Sequence, residues 1–101
     1  MTKIHLHQGD LPKGLSFGAC VAVDTEAMGL NPHRDHLTLV QLSAGDDTAH
    51  LVQLGRDYAC PNLKALMADA SVVKLFHFAR FDVAMMQHWM GVTCTPVWCT
   101  K

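Results

Sequence analysis

Three acidic residues stand out as groups that could do chemistry together. Asp24 and Glu26 are two positions apart at the end of an apolar run, Ala19-Cys20-Val21-Ala22-Val23. Asp82 lies in the first turn of a strongly helical segment. In an extended chain a spacing of two puts both carboxylates on one side of the sheet. Two carboxylates side by side repel each other, and burying them unpaired is costly. A hard divalent cation such as Mg²⁺ resolves this, because it takes oxygen ligands from one or two carboxylates plus a substrate phosphate. Without that context, the plain alternative is that both groups protrude into water past the strand end.

The other metal-ligating residues point nowhere so definite. Seven histidines include His5-x-His7 and His33-x-x-His36, and the four cysteines are Cys20, Cys60, Cys94 and Cys99. No Cys-x-x-Cys pair is present, and neither histidine pair has a cysteine at zinc-finger spacing. Packed cysteines and surface histidines are the simpler expectation. His77 reads as a packed strand-end histidine, Gln41 as a hydrogen-bonded residue of a buried strand, and Met85, Met86 and Met90 as core.

Elements of regular structure must bring the acids together. Ile4 and Leu6 alternate with polar residues, giving a short extended piece over Lys3–His7, followed by turn residues Gly9, Asp10, Pro12 and Gly14. The continuous apolar run Ala19–Val23 predicts a central strand buried on both faces. Leu37–Ser43 predicts a second strand, Ala44-Gly45-Asp46-Asp47 a hairpin turn, and Ala49–Leu54 a third strand antiparallel to the second. Pro61 opens a helix with Leu63, Leu66, Met67 and Ala70 at helical spacing. Val72–Phe76 predicts a short fourth strand. Phe78–Met90 predicts a core helix, with Ala79, Val83, Met86 and Met90 on one face, Phe81, Met85 and Trp89 on the next, and Gly91 as its stop. A connection carrying a helix returns the fourth strand parallel to the first. The resulting fold class is α/β: a mixed sheet, a three-strand antiparallel meander plus a parallel strand, with flanking helices. If the fourth strand lies beside the first, Asp82 faces Asp24 and Glu26 across the strand ends, where α/β sheets place their ligands. A carboxylate at Asp82 also suits the helix dipole.

At these residues the sequence resembles a known family. Val23-Asp24-Thr25-Glu26-Ala27-Met28-Gly29-Leu30 is similar to the first motif of the DEDD 3′-5′ exonucleases, and Phe76-His77-Phe78-Ala79-Arg80-Phe81-Asp82 to their second, in the form seen in ribonuclease D-like proteins. Leu39-Val40-Gln41-Leu42 lies between the motifs as the family's strand does. The resemblance implies a ribonuclease H-like fold and a metal-dependent 3′-5′ exoribonuclease. It implies Asp24, Glu26 and Asp82 as catalytic ligands of two divalent ions, Mg²⁺ or Mn²⁺, with Asp24 bridging them. It also implies that Thr25, Met28, Gly29, Leu30, His77 and Arg80 meet the 3′ end of a single-stranded RNA. A DNA 3′-5′ exonuclease shares every one of these motifs, and a non-catalytic remnant or nucleic-acid-binding fragment is the third reading. Pro96-Val97-Trp98-Cys99-Thr100 resembles the segment after the second motif with Cys99 in the place of an Asp, and Phe78 stands where many relatives have Asn. The family's third motif, a Tyr or His four residues ahead of an Asp, does not occur up to Lys101. Residues 1–101 therefore read as a partial exonuclease domain carrying the first two acidic motifs. Such a chain is expected to be weak or inactive alone. It is also expected to expose apolar surface, and so to self-associate or to pair with a complementary C-terminal half.

Composition narrows the rest. The 101 residues are 50% hydrophobic and 17% charged, enough for one core and too few for two domains. Eight Lys and Arg against nine Asp and Glu give a net charge of -1, so no overall positive field attracts a polyanion. Nucleic acid must then be gripped locally or through bound metal. Residues 83–100 carry no formal charge but are broken by Gln87, His88, three threonines and Pro96, and the N-terminus has no signal-peptide core. The expectation is a cytoplasmic protein with no membrane partner and with reduced cysteines.

Overall fold

The chain is described by a computed structural model covering residues 3–31, 33–77 and 79–100. Among the described residues, six strands form one mixed sheet. They are β1 (Lys3–Gln8), β2 (Cys20–Ala27), β3 (Leu37–Ser43), β4 (Thr48–Gln53), β5 (Val73–Phe76) and β6 (Val97–Cys99). The sheet order is β1-β4-β3-β2-β5-β6. The meander β2-β3-β4 is antiparallel, whereas β1 joins β4, β5 joins β2 and β6 joins β5 in parallel. The first apolar strand is thus central, with the fourth expected strand beside it. The N-terminal piece adds a parallel edge strand, and Val97–Cys99 closes the other edge.

Two helices, α1 (Pro61–Ala68) and α2 (Ala79–Met85), join β4 to β5 and β5 to β6. Both pack on the same side. Val21, Val23, Val40, Leu42, Val52 and Phe76 from the sheet cluster with Leu63, Met67, Met85 and Met86 from the helical layer. Leu63 and Met67, four apart, are the buried positions of α1. Ala70, expected on that stripe, lies beyond its end and is exposed. The carboxylate of Asp10 caps α1 from a distant turn, accepting the amides of Asn62 at 3.0 Å and Leu63 at 2.8 Å. Those are two of the donors a helix start leaves without a partner. Lys74 is fully buried on the helical side, where its ammonium donates to the carbonyls of Asp69 and Thr95. Burial pushes its pKa below the ordinary lysine value.

Three expectations need correction. β2 is not buried on both faces: Val21, Val23 and Thr25 are buried, while Cys20, Ala22, Asp24 and Glu26 are exposed. The side chains of Ile4, Leu6, Leu39, Leu51, Leu75 and Trp98 share this open side by strand register. A continuous apolar run sits on one face because Ala22 and Cys20 are small enough to remain exposed without large penalty. Second, Gln41 is exposed on the open side, directly opposite Asp24. Third, the second helix is not α-helical throughout. α2 gives way to a π-helical turn over Met86–Met90, which Gly91 ends in the left-handed conformation at φ 68°. The expected first residue of that helix, Phe78, lies outside the described residues. Met85, Met86 and Met90 are core, as their spacing suggests. Cys60 and Cys94 are buried, and Cys20 and Cys99 are exposed. Burial raises the Cys94 thiol to about 11 and raises that of Cys60 as well, so neither is a ready nucleophile. Among the described residues, no helix is long and apolar enough to cross a membrane.

Candidate active site

β2 extends through both acids, so Asp24 and Glu26 are strand residues and not the start of a loop. Strand alternation places both on the open side of the sheet, and Thr25 between them on the helical side. The strand is irregular at this point. Glu26 pairs with Leu39 but Ala27 pairs with Leu37, leaving Thr38 as an extra residue. Such bulges bend a strand and re-aim its side chains. The Thr38 hydroxyl secures the bend by donating to the Glu26 carbonyl at 3.0 Å. One oxygen of Asp24 accepts the amide of Thr25 at 3.0 Å, and the residue is exposed.

Asp82 approaches from α2. It is only 5% exposed, and its Oδ1 accepts a hydrogen bond from the Thr25 hydroxyl. One threonine therefore ties the second acidic segment to the strand residue that separates the first two acids. Burial raises the Asp82 pKa above the ordinary carboxylate value. The Thr25 hydroxyl opposes that shift, and the negative charges of Asp24 and Glu26 reinforce it. Asp82, on the buried side, thus senses the two carboxylates on the open side. The three do not converge into a ready cage: among the described residues, no three His, Cys, Asp or Glu side chains already surround a metal position.

The other expected site residues divide. A cavity of about 320 Å³ is lined by Ala22, Val23, Asp24, Leu75, Phe76, His77 and Thr100. His77 belongs to it through its side chain, whose Nδ1 lies 2.9 Å from the Thr100 hydroxyl. Glu26 and Asp82 do not line this cavity. Arg80 is exposed and lies in a separate shallow hollow with Val83, Gln87 and Val97, which holds none of the acids. Met28 and Leu30 are 70% and 86% exposed, unusually open for such side chains. Gly29 between them gives the Asp35 carboxylate its room: a Cβ there would lie 2.3 Å from Asp35 Oδ2, which would have to move. That carboxylate accepts the Asn31 amide at 2.9 Å and pairs with Arg34 at 3.0 Å. Sequence reasoning did not find Thr100 and Ser43, which flank Asp24 in the cavity and in a smaller one of about 100 Å³. Their only sequence signal is their register opposite β5 and β2.

A family model for 3′-5′ exonucleases matches residues 9–101. The chain belongs to the 3′-5′ exonuclease family. Within curated sequences, the chain is 31% identical over 81 residues to ribonuclease D of Bartonella henselae, covering 80% of the chain and 20% of that protein. Within solved structures it is similar to Brucella melitensis NrnC with bound Mg²⁺, at 47% identity and a TM-score of 0.93. That match covers 99% of the chain and 51% of NrnC. The same protein bound to pGG matches at 46% identity and 0.93, over 100% of the chain and 50% of that one. Trypanosoma brucei RNase D in complex with RNA U12 matches at 25% identity and a TM-score of 0.66, over 79% of the chain and 30% of that one. The chain thus spans about half the length of NrnC and about a fifth of the curated ribonuclease D. Its sheet is the ribonuclease H-like sheet expected from the two motifs.

Proposed function

We propose that the chain carries the first three metal ligands of a 3′-5′ exoribonuclease site, Asp24, Glu26 and Asp82, and presents them to the 3′ end of a single-stranded RNA. The observation that carries this reading is the Thr25–Asp82 hydrogen bond, which ties the acid of α2 to the strand residue between the two acids of β2. The donor set fits divalent ions of the Mg²⁺ and Mn²⁺ type. All three ligands are hard carboxylate oxygens, and their mutual repulsion at Asp82 is the kind that a cation removes. Two such ions, when bound, would make hydroxide available near neutral pH and neutralise charge on the departing 3′ oxygen. The exonuclease family membership, and NrnC with Mg²⁺ and with pGG, support the same assignment.

The residues of the chain then have distinct tasks. The Thr25 hydroxyl holds one oxygen of Asp82, leaving the second for a ligand. Met28 and Leu30 offer apolar surface to the terminal base, and the Asp35 carboxylate behind Gly29 keeps their loop in place. His77 and Thr100 line the space beside Asp24, and Arg80 attracts the phosphate backbone from the outer side of α2. The product is a nucleoside monophosphate released from the 3′ end. The chain alone is weak, because three carboxylates leave most coordination positions of two divalent ions to water.

A 5′-labelled single-stranded RNA, incubated with excess protein and Mn²⁺, tests this. Slow shortening from the 3′ end is expected, absent in Glu26→Gln. Equal products from wild type and Glu26→Gln overturn the site, and rapid multiple turnover overturns the statement that the chain is weak. The same assay with DNA decides between the two nucleic acids, since only RNA offers a 2′-hydroxyl.

A further inference from the structure

We propose that Arg56, His33, His36 and His88, gathered around Trp89, form a second contact surface for single-stranded RNA, next to the Met28–Leu30 loop and independent of the three carboxylates. The inference rests on the exonuclease reading for its choice of ligand. The residues themselves lie outside both acidic motifs.

The chain has a net charge of -1, yet two of its three arginines and three of its seven histidines collect in this region. Arg34 is engaged by Asp35. Arg56 instead meets an imidazole, with Nη2 3.0 Å from His36 Nε2. A guanidinium can only donate, so His36 Nε2 accepts and its proton sits on Nδ1. That Nδ1 and the indole Nε1 of Trp89 are both buried donors without an acceptor among the described residues. The rings of His36 and Trp89 are 4.6 Å apart. His88 stands edge-on to Trp89 at 4.8 Å, and His33 edge-on to His88 at 4.9 Å. Tyr58 backs Trp89 at 6.0 Å. The outer members, His33, Arg56 and His88, are exposed.

Two features of the backbone support a role in binding. His88 and Trp89 lie on the π-helical turn, a distortion that recurs at functional sites because it re-aims side chains a regular helix would point elsewhere. The His36 carbonyl accepts the Met28 amide at 3.0 Å, so the patch and the loop with the exposed Met28 and Leu30 are joined. The exposed guanidinium of Arg56 and the exposed imidazoles of His33 and His88 suit a nucleotide, because phosphate takes the charge and bases stack on rings. A neutral peptide would use neither the charge nor the stacking. The strand leaving the terminal nucleotide therefore runs over Arg56 and His88.

Anisotropy of an end-labelled six-nucleotide oligo(U) RNA, titrated with protein in EDTA and again in Mn²⁺, tests the surface. In EDTA, Arg56→Ala and His88→Ala should each weaken binding several-fold, up to about tenfold, the scale expected for a lost phosphate or stacking contact. Arg56→Ala should also reduce the slope of log affinity against log salt by about 1, and Arg56→Lys should restore it. Lys13→Ala, which removes an exposed charge elsewhere, should leave both unchanged. Asp24→Ala should lose the gain from Mn²⁺. The patch is refuted if wild type fails to bind in EDTA, if Arg56→Ala matches wild type, or if Lys13→Ala is as damaging. If Asp24→Ala leaves the Mn²⁺ gain intact, the carboxylate site fails while the patch stands.

Discussion

Replacing Asp82 by Asn should stabilise the metal-free protein near neutral pH and destabilise it relative to wild type when metal is present. Asp82 is almost fully buried, and its pKa is raised by burial and by the charges of Asp24 and Glu26, with the Thr25 hydroxyl offsetting part of the shift. A carboxyl whose folded-state pKa exceeds the unfolded one contributes stability below the unfolded value, near pH 4. It loses that contribution as pH rises through the folded value. Each unit of difference is worth about 1.4 kcal/mol. An asparagine can still accept the Thr25 hydroxyl and carries no charge to repel. In EDTA the two proteins should melt alike at pH 3, and Asp82→Asn should melt higher at pH 7. Metal reverses the order. At a concentration 100 times the Kd, a bound ion adds about 2.7 kcal/mol, or roughly 10–20 °C for a domain of this size. Wild type should gain most of that and Asp82→Asn little. Circular dichroism melts at pH 3 and 7, with EDTA or Mn²⁺, give all the comparisons. A lower melting point for Asp82→Asn in EDTA at pH 7, or an equal Mn²⁺ gain in both proteins, would refute the reasoning.

Thr25→Val keeps the shape of the side chain but removes the donor to Asp82. It should cost about 1–3 kcal/mol in urea unfolding at pH 7 and bind Mn²⁺ less tightly, and full stability with unchanged metal affinity would contradict it. Gly29→Ala drives its Cβ into the Asp35 carboxylate and should break the Asp35 bond to the Asn31 amide. A cost of about 1 kcal/mol is expected, with faster hydrogen exchange confined to residues 28–36; exchange like that of wild type would show the loop is not held this way. His50 is held below the ordinary histidine value by burial and by His7 and His5, and its Nδ1 lies 3.0 Å from His7 Nε2. A lowered pKa gives stability above the unfolded value, near 6.5, that is lost as pH falls through the folded one. Urea unfolding from pH 7.5 to 5 should therefore weaken more in wild type than in His50→Gln, and parallel profiles would count against that.

Much of this architecture could be read from residue order. The β2-β3-β4 meander follows from alternation and turn residues, and its second strand lies at Leu37–Ser43 as expected. The parallel return of β5 beside β2 follows from the intervening helix. The spacing of Asp24 and Glu26 placed them correctly on one side of the sheet. What spacing could not reveal was which side. An apolar run suggests burial on both faces, but Cys20 and Ala22 are exposed, and the acids share that open side. Asp82 reaches them from the helical side by way of Thr25, a contact between residues far apart in sequence. The Asp10 cap on α1 has the same character, since a carboxylate in one turn serves a helix that starts much later. The π-helical turn was invisible for another reason: Met86–Met90 fits α-helical spacing equally well, and packing decides between the two.

The central claim, that Asp24, Glu26 and Asp82 act as one cation site, is tested most directly by calorimetric titration of Mn²⁺ into the wild-type chain and Asp24→Ala. Saturable heat in wild type that vanishes in Asp24→Ala is the predicted result. Identical curves for the two proteins would contradict it.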